Sequence, residues 1–233
     1  MSIKKYIPNF LTLLNLLCGC IAIVYVSNFQ FKLAFYFVCL GIFFDFFDGF
    51  FARKFQVSGP LGVQLDSLAD MVTSGVVPGY TMVYLISGQY LHTSIEGYLP
   101  YFGFIITLGA CYRLANFNID TRQTDSFIGL PTPANTLFIM SLPLLILDDY
   151  LLALLFNKWV LIGISILSAF IMNAEIPLFS LKIKKMNFKD NQLQILFLLF
   201  SVLLLVYFQF LGIPLVIISY VLLSVINNKL LKK

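Results

Sequence analysis

The chain has 233 residues, of which 60% are hydrophobic and only 11% charged, and its mean hydropathy is +0.92. A soluble domain of this length carries about twice that charged fraction, so a water-soluble globule is excluded and the chain reads as an all-α integral membrane protein, one membrane domain over 1–233. The net charge of +4 says little as a total, and the reading includes no nucleic-acid partner.

A helix needs about 20 apolar residues to cross the hydrocarbon core. The sequence predicts eight such spans, at 8–27, 33–53, 61–86, 99–118, 130–147, 159–178, 193–210 and 212–230. Met1 to Lys5 is a short basic start with no cleavage site after the first apolar run, so that run is expected to be a retained span. Lys and Arg in the short loops set the orientation. With the N-terminus cytoplasmic, the inner side holds Lys4, Lys5, Arg53, Lys54, Arg113, Arg122, Lys182, Lys184, Lys185, Lys189, Lys229, Lys232 and Lys233, and only Lys32 and Lys158 lie outside. Eight spans return the C-terminus to the same side. The cluster from Lys182 to Lys189 reads as a topology determinant at an anionic leaflet. Cys18, Cys20, Cys39 and Cys111 all fall in apolar runs and read as small buried hydrophobes, without metal or disulfide spacing.

The informative stretch is Asp45-Phe-Phe-Asp48-Gly49-Phe-Phe-Ala52-Arg53, followed by Gly62-Val-Gln-Leu-Asp66-Ser-Leu-Ala-Asp70. Asp45, Asp48, Gly49, Ala52 and Arg53 stand at i, i+3, i+4, i+7 and i+8, one face of a helix. Gly62, Asp66 and Asp70 are spaced by four and share a face too. The link from Lys54 to Leu61, broken by Ser58-Gly59-Pro60, is expected to make the two helices antiparallel neighbours whose acidic faces meet at the cytoplasmic end. One Asp at mid-membrane costs about 2.5–3.5 kcal/mol on insertion scales, and clustering like charges adds to that unless cations neutralise them. Clustered carboxylates select hard divalent ions, and a cluster of this size holds two, the arrangement that steadies attacking and leaving oxygens at phosphorus. Gly49, Ala52 and Gly62 remove bulk from the same faces and admit a nucleotide or another helix. Two other readings stand beside this one: ion pairing with Arg53 for packing alone, and the cation or proton path of a transporter.

The pattern D-x-x-D-G-x-x-A-R, eight residues, G-x-x-x-D-x-x-x-D resembles the signature of the CDP-alcohol phosphatidyltransferases, and every defined position is matched. The resemblance implies that a CDP-linked lipid binds, a second alcohol attacks the phosphorus attached to the lipid, and CMP leaves. By position, it implies Asp45, Asp48 and Asp66 as ligands of one Mg²⁺ or Mn²⁺ and Asp45, Asp66 and Asp70 as ligands of a second. Asp70 is implied as the general base, and Gly49 and Arg53 as contacts to the CDP moiety. The planar fork of Arg53 suits a pyrophosphate. A homodimer is implied as well.

Three further stretches resemble the polytopic bacterial branch of that family whose substrates are CDP-diacylglycerol and L-serine. They are Ile7-Pro8-Asn9-Phe-Leu11-Thr12-Leu-Leu-Asn15, Tyr112-Arg113-Leu114-Ala115-Asn116-Phe117-Asn118, and Phe127-Ile-Gly129-Leu130-Pro131-Thr-Pro133-Ala134. Asn9, Thr12 and Asn15 recur along one row of the first helix and read either as hydrogen bonds to cytidine and ribose or as interhelical polar glue. Arg113 suits a serine carboxylate and also reads as a snorkelling topology charge; Asn118 reads as a partner for the amino or hydroxyl group. The 129–133 turn is expected to cap the acceptor pocket. Another acceptor, glycerol 3-phosphate or an inositol phosphate, would use the same chemistry. His92 and Glu96 fall in an outer loop and take no catalytic role. The chain has Asn116 where relatives often carry a second Arg, and Gly59 where they often carry Ser or Thr. The reading puts the catalytic core at 8–135, the additional helices at 136–233, and the active site on the cytoplasmic face of the cell's inner membrane.

Overall fold

The computed structural model describes residues 6–88, 97–120, 128–148, 157–179 and 191–231. Among them the chain is helical, and the one strand-like feature is an isolated antiparallel bridge between Ile128 and Pro177. Lys4, Lys5, His92, Glu96, Arg122, Phe127, the lysines from 182 to 189, Lys232 and Lys233 lie outside the described residues, as do 149–156 within the predicted 147–159 connection.

Helix α1 (Ile7–Ser27) opens on Pro8, whose fixed φ and missing N–H suit a first helical turn. Helix α2 (Phe31–Lys54) ends with Arg53 and Lys54 beside its last carbonyls. Helix α3 (Pro60–Asp70) begins at Pro60, after Gly59 in extended conformation. It runs without a break into a wide π-helical turn, Met71–Val76, in which the N–H of Val77 reaches back five residues to the carbonyl of Val72. Helix α4 (Val77–Ser87) continues the rod to Gly88, which closes it in the left-handed conformation. The predicted span 61–86 is therefore one helical rod with a widened middle.

A tight turn, Leu99–Phe104, leads into α5 (Ile105–Ile119). Helix α6 (Thr132–Asp148) carries Pro143 inside it. Helix α7 (Lys158–Asn173) is capped by the Asn157 side chain, which accepts from the N–H groups of Trp159 and Val160. The predicted span 159–178 ends early, at Asn173. Pro177 lacks an N–H and disfavours helix at the residue before it, so 174–177 extends and pairs with the Ile128–Gly129 turn. Helices α8 (Gln192–Phe208) and α9 (Gly212–Leu231) are separated by a tight turn at Gln209–Leu211. They fold back on each other, and the rings of Phe197 and Tyr220 stand 5.6 Å apart.

Among the described residues, three stretches are long and apolar enough to cross a membrane: Ile7–Ser27, Phe31–Lys54 and Gln192–Asn227. The core has two parts. Ala22, Val26, Phe31, Ala34 and Val38 pack with Val77 and Met140; Met82, Leu85, Ile106, Ile139, Leu161 and Met172 form the other. Helices α4 and α6 belong to both. Large apolar side chains such as Phe46, Leu203, Val206 and Tyr207 stand on the outside, as the face of a lipid-solvated bundle requires. Cys18 is buried and Cys39 half-buried, but Cys20 and Cys111 are exposed. That corrects the expectation of four buried cysteines: helix geometry turns these two onto the outer face, where lipid solvates a thiol as readily as a core does.

Candidate active site

The face predicted for α2 forms over its last turns, and the face predicted for α3 forms from its first turn onward. Helix α1 packs along both. One carboxylate oxygen from each of Asp45, Asp48 and Asp66 lies within 4.8 Å of the others. Asp48 is buried and accepts the hydroxyl of Thr12. Asp66 Oδ1 is buried without a hydrogen-bond partner among the described residues. Three carboxylates this close, one with an unmatched oxygen, fit hard divalent cations such as Mg²⁺ or Mn²⁺, which prefer oxygen donors and neutralise the stacked charge.

Asp70 stands beside the three rather than within the trio. It is buried, and its Oδ1 accepts from Asn15 Nδ2 at 3.0 Å. With Asp45 and Asp66 it lines a cavity walled by Ser67, Arg113, Leu114, Phe117, Pro131, Thr132 and Pro133. The 129–133 turn thus lies against the acids, and Gly129 takes φ +76°, a conformation glycine adopts without strain.

A second cavity also reaches the acids, through Asp48 and Asp66. Asn9, Thr12, Asp48, Gly49, Ala52, Arg53, Gly62 and Asp66 all line it, together with Ser58 and Gly59. Every residue named from the sequence for the CDP moiety is brought here except Asn15. Asn15 lies one turn further along α1, so it reaches inward to Asp70. A Cβ at Gly49 would stand 3.3 Å from Nη1 of Arg53, so the missing side chain makes room for the guanidinium over the cavity floor.

Arg113 is buried and gives two of its N–H groups to backbone: Nη1 donates to the carbonyl of Ile128, and Nη2 to that of Gly129 at 3.3 Å. It therefore holds the 128–131 turn while lining the acid cavity. It also lines a third cavity with Asn116, Ile119, Asp120, Ile128, Asn173 and Glu175. Asn118 is exposed and donates to Ser67 Oγ at 2.8 Å, tying α5 to α3 beside Asp66. Among the described residues it lines none of the three cavities.

Several polar residues of the site carried no sequence signal. Asn173 donates to the carbonyls of Gly109 and Ala169, both at 2.9 Å, and so pins α7 to α5. Thr73, Thr107 and Thr136 bond the backbone around the wide turn. A lone threonine in an apolar helix looks the same in sequence whether it bonds its own turn or a neighbour's carbonyl.

The family model for CDP-alcohol phosphatidyltransferases matches residues 5–181. The chain is 38% identical over 133 residues to a CDP-diacylglycerol–serine O-phosphatidyltransferase of Bacillus subtilis, covering 55% of this chain and 70% of the relative. It is 35% identical over 154 residues to the protein of that name from Methanocaldococcus jannaschii, covering 65% and 67%. With the Helicobacter pylori protein of the same name it shares 32% identity over 137 residues, 57% of this chain and 55% of that one.

Proposed function

Because the chain belongs to the CDP-alcohol phosphatidyltransferase family, we propose that it moves the phosphatidyl group of CDP-diacylglycerol to L-serine, giving phosphatidylserine and CMP. The observation that carries this reading is that two cavities, one lined by Asp48 and the other by Asp45 and Asp70, share Asp66. Displacement at phosphorus needs the incoming and leaving oxygens roughly in line on opposite sides. One cavity, floored by Gly49, Gly62 and Arg53, suits the pyrophosphate and cytidine; the other reaches Asp70 and suits the acceptor.

Asp45, Asp48, Asp66 and Asp70 hold two Mg²⁺ or Mn²⁺ ions, which when bound offset the charge gathering on the phosphate oxygens. Arg53 binds the pyrophosphate through paired N–H groups, with Asn9 and Thr12 oriented toward the nucleoside side. The serine hydroxyl oxygen forms the new bond to the lipid phosphorus as the bond to the CMP oxygen breaks. Its proton passes to Asp70, whose Oδ1 is held by Asn15. The 129–133 turn closes the cavity and limits attack by water.

Serine as the acceptor is supported by the names of the relatives. A phosphorylated acceptor such as glycerol 3-phosphate or an inositol phosphate would need a further basic pocket, and Arg113 is the basic residue in the described lining of the acid cavity. Arg113→Ala is expected to raise the KM for serine several-fold more than that for the nucleotide lipid; equal rises in both would remove Arg113 from the acceptor wall. The reading includes eight spans, both termini cytoplasmic, the site at the cytoplasmic face of the inner membrane and a homodimer. The loop charges support the orientation.

The test is direct. Purified protein receives CDP-diacylglycerol, labelled serine and either Mg²⁺ or Mn²⁺, with glycerol 3-phosphate and inositol phosphate as parallel acceptors. CMP release with label entering lipid is expected for serine alone. No CMP under any divalent ion would sink the reading, and release with another acceptor only would move the chain to a sibling activity.

A further inference from the structure

Asp70 is the last residue of α3, and the wide turn Met71–Val76 begins immediately after it. Such turns are rare and gather at functional sites. An ordinary α-helix turns about 100° per residue. A wide turn holding one residue more than an α-helical turn therefore rotates the acid row of α3 by about that angle relative to α4. Helix α4 is fixed by its place in both parts of the core. The bearing of Asp70 is accordingly set by whether these residues keep the wide geometry.

That geometry is unfavourable by itself. Carbonyls in a widened turn lose the usual partner four residues on, that of Ser74 because Pro78 has no N–H, and a membrane interior offers no water in its place. Here neighbouring helices supply donors. Thr107 Oγ1, from α5, donates to the carbonyl of Gly75 at 2.9 Å. Thr136 Oγ1, from α6, lies 3.0 Å from the carbonyl of Ser74 and 2.8 Å from that of Thr132 in its own helix. On the third side Thr73 Oγ1 donates to the carbonyl of Asn15 at 3.1 Å, and the Asn15 side chain holds Asp70. Thr73, Ser74 and Thr136 are fully buried. The fit is close, since a Cβ at Gly19 would come within 2.5 Å of Thr73 Oγ1.

We propose that Thr107 and Thr136 are positioning residues for the transfer reaction: their hydroxyls hold the wide turn open on the α5 and α6 sides, and the turn aims Asp70 at the acceptor oxygen. The proposal rests on Asp70 being the base. Neither threonine lines the nucleotide cavity, so their effect falls on the chemical step and not on donor binding.

The experiment replaces each hydroxyl by a methyl group of similar shape, in Thr107→Val, Thr136→Val and the pair, and retains it in the matching Thr→Ser variants. Steady-state kcat, KM for CDP-diacylglycerol and the thermal midpoint in detergent are measured for all. Misplacing a catalytic group by about 1 Å costs about 100-fold, so the valine pair is expected to lose about 10- to 100-fold in kcat, with KM for the nucleotide lipid within about twofold of wild type. The serine pair is expected to recover most of the loss. A valine pair with wild-type kcat overturns the proposal. So does a serine pair as impaired as the valine pair, or a loss of kcat matched by the same rise in KM. The single valine variants carry the same comparison if the pair does not fold. An active wild type whose Asp70→Asn form is also active removes the base reading, and this proposal with it; an active wild type with an inactive Asp70→Asn form and an unaffected valine pair removes this proposal alone.

Discussion

Asp70→Asn is expected to lower CMP release by about a thousandfold, within the range by which a positioned general base contributes, and to leave the protein folded. The two effects separate because asparagine has the same shape as aspartate. Its amide oxygen still accepts from Asn15 Nδ2, now 3.0 Å from Asp70 Oδ1, so the contact between α1 and α3 survives. The ability to take a proton does not. The thermal midpoint in chelator should be no lower than wild type, because the substitution removes a charge from a buried acidic cluster. With divalent ion saturating, so that the ligand role proposed for Asp70 is met, KM for CDP-diacylglycerol should change little, since Asp70 does not line the nucleotide cavity. A variant that keeps a tenth or more of the wild-type kcat would place the base elsewhere.

Asp66→Asn is expected to act on both sides of the metal equilibrium. Asp66 is the residue common to the two cavities, and its Oδ1 has no hydrogen-bond partner among the described residues. In chelator its charge only repels Asp45 and Asp48, whose oxygens lie within 4.8 Å, so the variant should melt higher than wild type. With divalent ion the order should reverse. A ligand at 100 times its Kd stabilises the form that binds it by about 2.7 kcal/mol, and the variant should lose most of that gain. CMP release should fall by about a thousandfold, which corresponds to about 4 kcal/mol of lost transition-state stabilisation. Melting curves with and without Mn²⁺, run beside the activity assay, read all three effects. A variant that melts lower than wild type in chelator would mean that the carboxylate holds the fold and not an ion.

The acid cluster was legible in the sequence because helix geometry alone turns spacings of three and four into a common face. Asp45, Asp48, Gly49, Ala52 and Arg53 share a face of α2 for that reason and Gly62, Asp66 and Asp70 a face of α3, and the short link from Lys54 to Leu61 brings the two faces together. Asn15 obeyed the same periodicity, but its partner depends on how far along α1 the cavity ends, which is a matter of packing between helices. Arg113 was legible as a charge near the cytoplasmic end of its span, suited to a serine carboxylate or to snorkelling. Its bonds to the Ile128 and Gly129 carbonyls were not, because they rest on a turn closed by Pro177, about fifty residues further on. The wide turn was not predicted from Met-Val-Thr-Ser-Gly-Val, although Pro78 just beyond it has no N–H to offer the Ser74 carbonyl and is a mark of a disturbed helix; the threonines that bond the turn lie on two other helices. The long apolar runs of α1, α2 and α8–α9 were plain. The middle spans were less so, since a wide turn, a tight turn and Pro143 interrupt them.

The bridge between Ile128 and Pro177, locked by the Gly129 N–H to the Ile176 carbonyl at 2.8 Å, has a consequence for how such a protein diversifies. Apart from Ser67, the wall opposite the acids in the Asp70 cavity comes from α5 and the 131–133 segment, which carry none of the four clustered aspartates, and the turn leading into that segment is tied to the end of α7. Substitutions there can retune which alcohol is admitted while the reactive centre is inherited unchanged. One half of the molecule is thereby free to drift, and the other is held fixed by the phosphorus it must handle.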